Sequence, residues 1–92
     1  MSQATVTHVS PTHLDVRLAG RTARVEGEAN IARPDAPYFV FSGSVRAWLP
    51  PDEREPLTPE DRAAILEAVR AHLEDKRMAY VIDPTDEQYR AL

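Results

Sequence analysis

"HLDVRLAGRTARVEGEA", His13 to Ala29, is the stretch whose reading decides the fold. Its first six residues alternate strictly, with Leu14, Val16 and Leu18 on one side and His13, Asp15 and Arg17 on the other. That period of two is the mark of a strand with one buried face. Ala19-Gly20 breaks the run before "RTARVEGEA" continues it. With Ala19 and Gly20 as a two-residue loop, Val16 falls opposite Ala23 and Leu14 opposite Val25 on the inner face. On the outer face Asp15 meets Arg24, and His13 meets Glu26. Each charged residue then faces an opposite or neutral partner, a pairing worth about 0.2–1 kcal/mol apiece. A slip of one residue would turn one strand's apolar set to water. Alanine is not the favoured residue at the first position of such a turn, so a longer, bulged turn is the alternative.

Working outward, "ATVTHV" (Ala4–Val9) is β-branched and ends at Ser10-Pro11, which reads as a short strand. "NIARPDAPY" (Asn30–Tyr38) is a loop, because Pro34 and Pro37 forbid a central strand. "YFVFSGSVRAWL" (Tyr38–Leu49) is the most strand-like run. It is apolar on both faces at residues 38–41, which predicts a covered, central strand. Gly43 predicts a bulge or strand break, after which Val45, Ala47 and Leu49 alternate with Ser44, Arg46 and Trp48.

"LPPDEREPL" (Leu49–Leu57) is a proline-rich connector. Thr58-Pro59-Glu60-Asp61 then opens a helix, with Thr as N-cap, Pro at the first helical position and acids in the first turn. Ile65, Ala68, Val69, His72, Leu73 and Lys76 continue it as an apolar stripe of about five turns. "MAYVID" (Met78–Asp83) is a last strand closed by Pro84. "TDEQYRAL" forms one helical turn or frays. The order β-β-β-β-α-β predicts an α+β fold: a small antiparallel or mixed sheet of about five strands, with one long helix packed on one face. At 92 residues the expectation is a single domain over 1–92, with its core at 4–83 and a tail at 84–92.

Composition narrows the function classes. Hydrophobic residues are 42% and charged residues 28% of the chain, a globular rather than a disordered balance. No cysteine is present, so disulfides, thiol nucleophiles and thiolate metal sites are excluded. No apolar run reaches the roughly 20 residues of a membrane helix. "MSQATVTHVS" carries neither the basic nor the apolar region of a secretory signal, and the expected compartment is the cytoplasm. The net charge of −4 is concentrated in the second half, where eleven acids stand against six bases. Such a chain is a poor candidate for nucleic acid, which demands neutralised phosphates. A basic protein partner suits it better.

No pattern writes out a reaction. His8 and His13 lie on different strands without a further clear ligand, so no metal is expected. His72 belongs at the edge of the core. Ser42-Gly43-Ser44 is not a nucleophile elbow, and no glycine-rich phosphate loop or calcium loop appears. The expectations are no cofactor and no enzyme. Glu60 and Asp61 are accounted for by the helix start, whereas Asp52, Glu53 and Glu55 have no local structural task. Trp48, the chain's single tryptophan, has two readings. Facing the helix, it seals the core; facing away, it forms a surface anchor with Arg46. The candidate partner-binding residues are therefore Arg46, Trp48, Asp52, Glu53 and Glu55.

The hairpin "VRLAGRTARVEGE", the strand "FVFSGSVRAWLPP" and the capped helix "EPLTPEDRAAILEAVRAHLEDK" occur in an order that resembles a family of small bacterial immunity proteins of polymorphic toxin systems, immunity protein 74. The resemblance covers roughly His13 to Ile82 and includes a strand-Trp-x-Pro junction before the capped helix. It implies a non-enzymatic protein that binds and blocks a neighbouring toxin domain. It names neither the toxin nor the contact residues. The rival expectation is a generic interaction domain or a small homodimer with a structural role.

Overall fold

The computed structural model describes residues 3–90. The first and last two residues, including the end of the expected tail, lie outside that range. Five strands form one sheet in the order β1-β2-β3-β4-β5: β1 (Thr5–Val9), β2 (His13–Leu18), β3 (Arg21–Glu28), β4 (Tyr38–Val40) and β5 (Tyr80–Ile82). Neighbours are antiparallel except β4 and β5, which run parallel, so the sheet is mixed and the fold is α+β.

The β2–β3 register is the one that the alternation dictates: Leu14 pairs with Val25, Asp15 with Arg24, Val16 with Ala23 and His13 with Glu26. The turn is the two-residue form. Ala19 (φ 53°) and Gly20 (φ 78°) both take the left-handed conformation that a right-twisting hairpin needs, so no bulged turn intervenes. Alanine there bears a Cβ clash that glycine escapes, at a cost of about 1–2 kcal/mol.

The inner face (Leu14, Val16, Leu18, Ala23, Val25, Val40) is buried beneath a long helix, α1 (Pro59–Asp75), which contributes Ile65, Val69 and Leu73. Its start is a complete capping box: Asp61 N–H donates to Thr58 Oγ1, and Thr58 N–H to the Asp61 carboxylate, each at 3.1 Å. Arg77 (φ 56°) ends the helix in the left-handed form usually taken by glycine. Met78 N–H then reaches Leu73 O at 2.9 Å and Arg77 N–H reaches Glu74 O at 3.0 Å, closing the last turn. Lys76 is thus the cap rather than part of the apolar stripe, and His72 sits half-buried at the core's edge.

All three residues of β4 are buried, as a strand apolar on both sides requires. Tyr38 lies across Gly27, where a Cβ would overlap its ring, and its hydroxyl donates to Ser10 O at 2.9 Å. Burial pushes that phenol up to about 12, so it remains a donor. On the opposite face Phe39 is covered by Tyr89 from a short second helix, α2 (Asp86–Arg90), with ring centroids 5.7 Å apart. The tail thus takes the helical-turn form. Its signal was readable as Thr85-x-x-Gln88, a second reciprocal cap.

The run after Gly43 corrects the expected alternation. Residues 42–44 form one 3-10 turn, and no regular strand follows. Val45 and Trp48 are both buried while Ala47 is exposed, a spacing of three in place of two. The chain still travels along β3, meeting it at a single bridge between Ala23 and Trp48 and through Leu49 N–H to Thr22 O at 2.7 Å. The inserted turn satisfies its own polar groups: Ser44 Oγ donates to Phe41 O and accepts from Glu26 N–H.

Candidate functional site

Trp48 takes the core reading: it is 2% exposed and packs in the cluster with Ile65, Val69 and Leu73. It is not a surface anchor beside Arg46. Its one polar atom reaches outward, Nε1 donating to Pro56 O at 3.1 Å. That bond fastens the far side of the proline-rich connector to the core. Asp52 N–H to Leu49 O (3.0 Å) and Glu55 N–H to Asp52 O (2.9 Å) fold the connector into consecutive turns, and Leu57 packs against the core at its end. Tryptophan suits this position because it offers a large apolar body with one donor at the rim.

The connector is therefore a held loop. On it Glu53 and Glu55 are exposed and Asp52 is half-buried. None of the three carboxylates enters a hydrogen bond or ion pair among the described residues, where the ion pairs are Asp15–Arg24 and Glu67–Arg70. With Glu60 and Asp61, five carboxylates fall within ten residues against the single base Arg54. The arginines around the loop are committed to the framework. Arg46 Nε donates to Gly43 O at 2.8 Å and Arg62 Nε to Val45 O at 3.1 Å, while Arg21 stacks on the indole at 4.5 Å. Of the candidate residues, the structure brings Asp52, Glu53 and Glu55 onto one loop, holds Arg46 at the 3-10 turn, and turns Trp48 into the support beneath them.

The hydroxyls and imidazoles have structural tasks. His13 Nδ1 lies 3.1 Å from both Ser10 and Thr12 hydroxyls, in a turn where Ser10 Oγ also accepts from the His13 and Thr12 backbone N–H groups. Ser42 gives both its N–H and its hydroxyl to the Asp83 carboxylate, tying the 3-10 turn to the end of β5. No imidazole joins that pair. His8 stacks against His13 with centroids 5.6 Å apart. Among the described residues no group of three or more His, Asp or Glu is placed to hold a metal ion, and no helix is long and apolar enough to cross a membrane.

Asp15 is held below its ordinary value of 3.8, first by the hydrogen bond from Arg24, with His13 and His8 adding smaller attractions. The pair is two-pronged, at 2.8 and 3.2 Å. It pins the hairpin on the face opposite α1. Sequence reasoning missed Ile31, 79% exposed at the tip of a turn that Asn30 holds by accepting from Ala32 and Arg33 N–H. An apolar residue directly after a turn-forming Asn was the available signal.

A family model described as immunity protein 74 matches residues 6–83, most of the chain. No curated protein and no solved structure matches it.

Proposed function

We propose that this chain, which belongs to the immunity protein 74 family, binds a cognate toxin domain and neutralises it by occupying its surface rather than by chemistry. The observation that carries the reading is the family match over residues 6–83, which takes in all of α1 and all of the sheet but its first residue. The held acidic loop supports a mode of binding. The backbone of this loop is already folded, so meeting a cationic surface orders only the side chains of carboxylates that have no partner among the described residues. They also steer a basic partner into encounter. Arg46, Asp52, Glu53 and Glu55 are the contact residues in this reading, with Trp48 holding the loop from within. The partner is a toxin domain with a basic surface, met in the cytoplasm, and the chain acts without a cofactor or catalytic residue.

The reading predicts a toxin domain encoded beside this gene, and co-expression of the two tests it. Growth restored by the wild-type chain is the expected result. Undiminished toxicity in the presence of folded, abundant chain would contradict it.

A further inference from the structure

The two edges of the sheet differ. β5 is three residues long, lies between left-handed Arg77 and Asp83, and runs into Pro84. β1 is five residues long, and within Thr5–Val9 it carries no Pro, Lys, Arg, Asp or Glu. Its own pairing to β2 is broken by a bulge between Val6 and His8, and no strand among the described residues pairs with its outer edge. Charge, proline, cover or a bulge normally blunts such an edge, and of these β1 carries the bulge.

Where the chain enters that strand lies an open groove of about 330 Å³, between residues 3–4 and α1. It is lined by Gln3, Ala4, Ala64, Glu67, Ala68 and Ala71. Asp61, Ala64, Ala68, Ala71 and Asp75 recur at helical spacing, so the alanine floor has a carboxylate at each end and Glu67 beside its middle. Ala4, Val6, Ala64 and Ala68, packed against the core, are only partly buried and leave apolar surface open to solvent on this side.

We infer that the β1 edge is where the toxin adds a strand of its own, placing small side chains over the alanines and Lys or Arg beside Asp61, Glu67 and Asp75. The inference rests on the proposed immunity function. A second copy of the chain fits the space but not the charge. α1 lies over β1 and β2, so pairing β1 with its copy would set two α1 helices about 10 Å apart, a normal packing distance. A twofold axis through the middle of α1 would then bring Asp61 to the copy's Asp75 and Glu67 to its own counterpart. A basic strand meets the same carboxylates with attraction.

Titration calorimetry against a catalytically inactive form of the adjacent toxin domain tests this, using the full chain and the variants Ala71→Arg, Glu67→Lys and Thr7→Pro. Both helix positions and Thr7 are exposed, and circular dichroism checks that each variant is folded. The expected result is at least tenfold weaker binding for Ala71→Arg and Glu67→Lys, with Thr7→Pro weakened similarly. If the wild type binds and the two helix variants bind within twofold of it, the edge proposal is overturned while the immunity reading stands. If the folded wild type does not bind, the immunity reading falls and the edge proposal with it. A wild-type dimer in sedimentation that Ala71→Arg dissociates would assign the edge to a second copy and overturn the proposal.

Discussion

The β2–β3 hairpin sets its charge Asp15 against Arg24 across the ladder, while the strap from Phe41 to Leu57 leaves the carboxylates of Asp52, Glu53 and Glu55 without a partner among the described residues. The hairpin uses charge to fix its own register. The strap is held by other means, namely the buried Trp48, its indole bond to Pro56 and two backbone turns. Charges that a fold does not need for itself are the ones available to a partner, and that separation locates the proposed contact surface on the strap.

The largest effect should come from removing the strap's support. Trp48→Ala is expected to destabilise the chain by about 3–5 kcal/mol, read from urea unfolding, which is a large part of the roughly 5–15 kcal/mol of a typical domain. A loss below about 1 kcal/mol would mean that the indole does not hold the strap. Charge reversal at Asp52, Glu53 and Glu55 together should separate binding from stability. Toxin affinity should fall about 10- to 100-fold, more at low salt than at high, while unfolding free energy stays within about 0.5 kcal/mol. Loss of stability on that scale would show that the loop's charges serve the fold after all.

Two changes probe the hairpin. Ala19→Asn should add about 0.5–1 kcal/mol, because asparagine tolerates the left-handed turn position that alanine occupies under strain. Asp15→Asn should give the smallest effect, a slight fall in Tm at pH 7. Its sign follows from linkage. The folded carboxyl titrates below its ordinary value of 3.8, so its stabilisation is present above that value and is lost as pH falls through the folded one. The Tm difference between wild type and variant should therefore close in strong acid, and a difference independent of pH would assign the effect to packing.

How far each region was legible follows from the same contrast. In the hairpin, side chains alternate, the loop is two residues long and the outer charges pair, so local pattern and tertiary structure agree on every residue from His13 to Glu26. The capped start of α1 was equally plain, since Thr58-Pro59-Glu60-Asp61 forms its cap within four residues. The strap also alternates in sequence, but its burial follows Val45 and Trp48, three residues apart, because the 3-10 turn at Ser42–Ser44 changes the phase of the chain. Whether Trp48 faced the helix depended on that phase, which no local pattern encodes. The acidic loop could be singled out by exclusion, as carboxylates with no cap or ladder to serve. The open β1 edge was not readable at all, since an edge is a property of strand order.

Hydrogen exchange of the chain with and without its inactive toxin tests the central claim most directly. The account predicts slowed exchange at the amides of residues 52–55 and of Leu57 on binding, with the β2–β3 turn unchanged. A tight complex that leaves those amides as fast as in the free chain would contradict it.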